Sequence, residues 1–148
     1  MTMGLYLEDL TPGMVFTSTT QALDEAAMKR FAGAFDPQPF HLDETAAEKT
    51  IFGGLAASGW HTASVSMKLL VESLPLANGI IGAGVELAWP KPVRPGDVLQ
   101  VVTEVLEVTP SRAKPDRGMG VIRSETRNQH GEVVQLLTSR LVLFRRPV

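Results

Sequence analysis

Hydrophobic positions recur along the chain with two different periods, and the change of period divides it. After the turn signal Thr11-Pro12-Gly13, the run Met14-Val15-Phe16-Thr17-Ser18 reads as a short strand. Asp24 can accept from free backbone N–H groups and so predicts a helix start. That helix runs to about Ala34, with Ala27, Phe31 and Ala34 on one face. Phe35 to His41 contains two prolines, and regular helix cannot pass through it. Asp43 predicts the cap of a short helix over Glu44–Lys49. Ile51 to Gly59 holds three glycines and reads as irregular backbone open to close approach.

From Trp60 the period is helical. Ala63, Met67, Leu70, Val71 and Leu74 recur at three- and four-residue steps, ending at Pro75. Everything later reads as strand: Ile80–Trp89, Asp97–Val108, Gly118–Asn128 and Val133–Phe144. Short turns rich in Pro, Gly and Asn separate them, which predicts an antiparallel sheet. The expectation is an α+β fold in which a curved sheet wraps one central helix, as a single domain over residues 1–148.

Composition narrows the function classes. A chain of 148 residues is long enough to bury a core, and its 44% hydrophobic and 20% charged residues are ordinary for a globular protein. A formal net charge of −2 argues against nucleic acid or an anionic membrane as the main partner. The absence of cysteine excludes a disulfide scaffold, a thiolate zinc site and a cysteine nucleophile. Met1–Leu10 shows no signal-peptide pattern, and no apolar run approaches the roughly 20 residues that cross a bilayer. A cytoplasmic location is the expectation.

Candidate chemistry centres on Asp36-Pro37-Gln38-Pro39-Phe40-His41. The prolines stiffen the loop, so a carboxylate and an imidazole can be held facing one water, which suits general-base catalysis. Spacing alone also admits a structural account, an Asp at a helix end and an isolated histidine. Gly59 opens the Trp60–Leu74 helix, where free N–H groups and the helix dipole can stabilise developing negative charge. Taken alone, Ser58 as a helix cap beside a permissive glycine is the plainer account. His61 and His130 read as surface residues, and three histidines so dispersed lack zinc-ligand spacing. Gly79 to Gly84 fails the dinucleotide pattern, and neither a Gly-x-Ser-x-Gly elbow nor a phosphate loop occurs. Arg94, Arg112, Lys114 and Arg117 read as solvated loop charge.

With these residues in view, the sequence resembles the MaoC-like dehydratases, the family that includes the (R)-specific enoyl-CoA hydratases. The resemblance runs from about Leu5 to the last strand. Its most specific part is the hydratase motif Asp-x-Asn-Pro-x-His, represented by Asp36 through His41. Further matches are His41-Leu42-Asp43 with Ala46-Ala47, Phe52-Gly53-Gly54, Ser58-Gly59, and Pro90 to Asp97 with its Pro95-Gly96-Asp97 turn.

The resemblance implies a hot-dog fold, normally paired as a homodimer that can assemble further, with acyl-CoA in a tunnel at the subunit interface. It makes Asp36 and His41 the water-activating pair and Gly59 the backbone donor to the thioester carbonyl. It places Gln38, Phe40, Gly54, Ser58, Ser64 and Met67 along the substrate site, with no metal or cofactor required. The implied reaction adds water to a trans-2-enoyl-CoA to give the (R)-3-hydroxyacyl-CoA. Three positions depart from the family pattern: Gln38 stands for the usual Asn, Met67 where some hydratases have serine, and Ser58 where others often have histidine. Thioester hydrolysis is a second reading, since the hot dog also hosts thioesterases. A non-catalytic acyl-CoA-binding or assembly subunit is a third, motivated by Gln38 and Met67.

Overall fold

The computed structural model of the chain describes residues 4–148. The first three residues of the Met1–Leu10 stretch lie outside that range. Five strands and four α-helices follow one another: β1 (Val15–Ala22), α1 (Glu25–Phe35), α2 (Pro39–Leu42), α3 (Glu44–Glu48), α4 (Gly59–Ser73), β2 (Ile81–Ala88), β3 (Val98–Pro110), β4 (Arg117–Arg127) and β5 (Val133–Phe144). The strands form one antiparallel sheet in the order β1-β3-β4-β5-β2. Register shifts between Thr17 and Thr20, Gly82 and Gly84, and Val105 and Glu107 are bulge-like breaks that bend the strands. The curved sheet with α4 against it is the α+β hot-dog arrangement that the resemblance implies. No helix among the described residues is long and apolar enough to cross a membrane.

The core follows the two periods. On β3, Leu99, Val101, Thr103 and Val105 point inward at alternate positions. On α4, Thr62, Val65, Ser66, Leu69 and Leu70 form the buried stripe. One cluster joins Leu23, Met28, Val65, Leu69, Leu99 and Val101; a second joins Leu7, Leu70, Leu74, Val105, Ile122 and Leu141. Each fully buried leucine contributes on the order of 1.5–3 kcal/mol. Inside this apolar shell, Ser66 Oγ and Thr126 Oγ1 pair at 2.6 Å and fix α4 against β4. Each hydroxyl thereby satisfies the other.

Several sequence expectations shift. Strand β1 extends to Ala22 and becomes a fifth member of the sheet. Asp24 caps α1 as expected, accepting from the Ala27 N–H at 2.7 Å. The buried face of α1, however, carries Met28 and Ala32, while Ala34 is exposed. Pro39 occupies the first turn of α2, where its missing N–H costs no intrahelical bond, so helix restarts within the proline loop. On α4 the expected apolar stripe is split, because Met67 and Val71 face outward. Strand β2 is exposed on both faces, including Val85 at 62%.

Candidate active site

Helix α1 ends at Asp36, whose N–H donates to Ala32 O at 2.8 Å. The turn through Pro37 and Gln38 then starts α2, and α2 carries His41 into the interior, where it is 5% exposed. His41 Nε2 lies 3.2 Å from Asp36 Oδ2. The other ring nitrogen, Nδ1, is 2.7 Å from the carbonyl oxygen of Ala56. A carbonyl has no proton to give, so Nδ1 carries the hydrogen and Nε2 is the nitrogen turned to Asp36.

Asp36 is held from three sides. Gln38 Nε2 donates to Oδ1 at 2.5 Å, and Ser58 Oγ donates to Oδ2 at 2.7 Å, beside the His41 contact. Burial pushes the Asp36 carboxyl up, but the Gln38 and Ser58 donors and the neighbouring His41 outweigh it and hold the group below the usual carboxylate range. Gln38 and Ser58 thus fill two of about four acceptor directions on the carboxylate. A free direction can accept from a water.

Ser58 is fully buried and its hydroxyl does not cap α4. The capping account of Ser58 is therefore corrected: the hydroxyl serves Asp36. Ser58 O accepts from the N–H groups of His61 and Thr62 at 3.0 and 3.1 Å, while Gly59 occupies the first helical position. Its N–H has no intrahelical partner. An added Cβ at Gly59 would lie 2.6 Å from Trp89 Cε2, so the close approach this glycine permits includes the indole of Trp89.

One cleft of about 690 Å³ is bordered by Asp36, Gln38, His41, Gly59, Trp60 and Trp89, among others. Its size falls in the range of small-molecule sites. Phe40, Phe52 and Val93 contribute apolar wall, and Lys91 and Arg94 also border it. Trp60 and Trp89 meet edge to face with centroids 5.3 Å apart, and Trp89 Nε1 donates to Gln135 Oε1 at 3.0 Å. Neither tryptophan nor Gln135 was singled out by the sequence pattern. Trp89 follows a strand and precedes Pro90, which offered the one local hint.

Of the residues expected along a substrate site, Gln38 and Phe40 border this cleft, as do Asp36, His41 and Gly59. Ser58, Ser64, Met67 and Gly54 are not among the residues that border it. Ser64 Oγ turns back to Trp60 O at 2.8 Å, Met67 is 42% exposed on the outer side of α4, and Gly54 presents its carbonyl to Arg94. His61 is also corrected. It is buried rather than superficial, stacks on Phe31 with centroids 4.6 Å apart, and leaves Nδ1 without a partner among the described residues. His130 is exposed, as expected. Arg94 is not solvated loop charge, since its guanidinium donates to the backbone carbonyls of Phe52, Gly54 and Leu55. Arg117 pairs with Asp116 and lies over the Phe144 ring, at 5.2 Å from its centroid.

A sheet wrapped on one helix thus carries a part-buried Asp–His contact near the helix's N-terminal end. The MaoC like domain matches residues 9–126, and the chain belongs to that family. Among curated relatives, the uncharacterized protein YdeM of Bacillus subtilis is 40% identical over 109 residues, 72% of this chain and 77% of YdeM. The 3-hydroxybutyryl-CoA dehydratase of Methylorubrum extorquens is 33% identical over 74% of this chain and 69% of its own. The (R)-specific enoyl-CoA hydratase of Rhodospirillum rubrum is 30% identical over 72% of this chain and 74% of its own. Among solved structures, the MaoC-like dehydratase from Rhodospirillum rubrum is 61% identical, with a TM-score of 0.96 over 98% of this chain and 100% of that one. Family membership supports hydro-lyase activity at the level of the family.

Proposed function

We propose that the chain is one catalytic domain that hydrates trans-2-enoyl-CoA to (R)-3-hydroxyacyl-CoA and runs the reverse dehydration. The observation that carries this reading is the convergence of Asp36, His41 and the first residue of α4 on one cleft. The conjugated thioester makes the substrate's β-carbon electrophilic. A water held between Asp36 and His41 Nε2 attacks that carbon, and its proton passes to the Asp36–His41 pair as the C–O bond forms. The π electrons move to the thioester oxygen, where the Gly59 N–H and the positive end of α4 stabilise the charge. Return of the proton to the α-carbon from the same pair completes the addition of one water, with the electrons returning to the carbonyl. Removing one preorganised donor of this kind typically raises the barrier by about 2.7–4 kcal/mol.

The two departures that motivate a non-catalytic reading lose their force. Gln38 reaches Asp36 despite its extra methylene, and Met67 lies outside the cleft. The relatives named for 3-hydroxybutyryl-CoA and enoyl-CoA chemistry support the substrate class. The functional unit in this reading is a homodimer. Strand β2 is an edge strand exposed on both faces, and Ile81, Val85, Met67 and Val71 are more apolar than a free surface favours.

The test follows the loss of enoyl-thioester absorbance when purified protein meets a chain-length panel of trans-2-enoyl-CoA substrates, with chiral analysis of the product. An (R)-3-hydroxyacyl-CoA product supports the proposal. Free thiol release without hydration would assign the cleft to thioester hydrolysis instead, and binding without turnover would leave it a binding subunit.

A further inference from the structure

Arg94 lies on the turn between β2 and β3, remote in sequence from the loop that leads into α4. Its own backbone is fixed first. The Arg94 N–H donates to Asp97 Oδ2 at 2.8 Å, and the Asp97 N–H returns to Arg94 O at 3.1 Å. Asp97 is buried, and its second oxygen accepts from Gln129 Nε2 at 2.9 Å. Gly96 completes the turn at φ 84°, a conformation that a side chain would strain.

From this braced turn the side chain reaches back across the fold. Nη1 donates to Gly54 O at 2.9 Å and to Leu55 O at 3.2 Å, and Nη2 donates to Phe52 O. One planar cation therefore gathers three carbonyls of a single irregular segment. Beside it, Val93 O accepts from the Ala57 N–H at 2.9 Å.

The residues that follow directly on this segment supply two of the contacts that hold the Asp36–His41 pair, beside that of Gln38. Ala56 O receives the His41 Nδ1–H, and Ser58 Oγ donates to Asp36. Phe52 packs on Phe40, which meets His41 edge to face at 4.6 Å. The sequence itself offers little to hold this stretch, with Gly53 and Gly54 in it and Gly53 at φ 64°. Charge-assisted bonds to several carbonyls can supply the rigidity that the glycines remove.

We infer that Arg94 is a positioning residue, whose guanidinium clamps the Phe52–Leu55 segment and thereby sets the Ala56 carbonyl that orients the His41 ring. The inference rests on reading Asp36 and His41 as the working pair. Lysine cannot reproduce it, because an ammonium lacks the planar fork that meets three carbonyls at once.

The test compares wild type, Arg94→Lys and Arg94→Ala by enoyl-CoA hydration kinetics and by ¹⁵N-histidine NMR. The chain has three histidines, so the His41 ring signals can be assigned with a His41→Gln control. The wild type is expected to show a His41 Nδ1–H protected from solvent exchange. Arg94→Ala should lose that protection and lower kcat about a hundredfold with KM little changed, the cost of a misplaced group of about 1 Å. Free guanidinium at a non-denaturing concentration should restore both. Should Arg94→Ala fail to fold, Arg94→Lys carries the test, with weakened protection and reduced kcat expected.

An unchanged Nδ1–H signal in the folded variants would overturn the clamp. So would a rise in KM alone, which would make Arg94 a direct substrate contact. The NMR readout needs no turnover, so inactivity of the wild type on every enoyl-CoA would overturn the reaction while the clamp is still judged by the His41 signal.

Discussion

Replacing Gly59 by alanine tests whether the helix start and the Trp89 indole form one unit. A Cβ at this position would sit 2.6 Å from Cε2 and 2.8 Å from both Cδ2 and Cζ2 of Trp89, where ordinary contact begins near 3.4 Å. The indole must therefore withdraw by about 0.8 Å, judged from those same contacts. Trp89 is 41% exposed and open to solvent on one side, but two contacts oppose the move. Its Nε1 is bonded to Gln135, which is 2% exposed, and its ring meets Trp60 edge to face. Overpacking of this kind costs typically about 1–3 kcal/mol. Alanine recovers about 0.5–1 kcal/mol of helix preference over glycine. The mid-range of each leaves a net expected loss of about 1 kcal/mol, or a fall in Tm of about 2–4 °C.

Urea unfolding and a thermal scan read the loss, and tryptophan fluorescence reads the displaced indole. Activity should fall with stability, because the same wall borders the cleft beside the Gly59 N–H. Trp89→Leu removes the obstacle, so adding Gly59→Ala to it should cost much less than adding it to wild type. A Gly59→Ala protein with wild-type Tm and unaltered fluorescence would refute the packing argument, as would costs that simply add in the double variant.

Three further outcomes are expected. Ser58→Ala removes a donor that helps hold Asp36 below the usual carboxylate range, so the Asp36 pKa should rise; carboxyl ¹³C NMR titration checks this, and an unmoved titration would contradict it. His61 has its pKa lowered by burial first and by Arg30 second, against a smaller opposing pull from Asp24, so the folded state keeps it neutral while the unfolded chain takes up a proton. Its contribution to stability is therefore fully present above about pH 6.5 and is lost as pH falls below that value. His61→Phe keeps the stack on Phe31 and removes the unpartnered Nδ1, so it should gain about 1 kcal/mol and flatten the stability curve between pH 7 and 5; parallel curves for the two proteins would count against it. Val85→Lys puts a charge on the exposed face of β2 and should weaken self-association on the order of a hundredfold or more, read by light scattering; a dimer of unchanged affinity would show that this strand is not the interface.

Local rules made much of the molecule legible in advance. Strand β5 has the bounds that its Val, Leu and Thr pattern predicts, and Asp24 and Asp43 cap helices through their carboxylates. The Asp36–His41 pairing was legible chiefly through the family motif, since two prolines in a six-residue stretch equally suit a structural account. Periodicity finds apolar faces but not what covers them, which is why Met67 and Val71 read as core and lie exposed. Residue type misled in the opposite direction at His61 and Arg94, where one polar group stacks in the interior and the other spends its charge on backbone. Contacts made across the fold left little local trace. The Trp89–Gly59 approach and the Arg94 clamp join residues about 30 and 40 positions apart, and neither partner's neighbours announce the other.

The central claim is that Asp36 activates water for addition to an enoyl thioester. The direct measurement is kcat for hydration of a short trans-2-enoyl-CoA by wild type and by Asp36→Asn, which keeps the shape of the side chain and removes its basicity. The account predicts measurable hydration by wild type and a loss of about 10²–10⁴-fold in the variant, with the fold retained. An Asp36→Asn protein as active as wild type, or a wild type that hydrates no enoyl-CoA of any chain length, would contradict it.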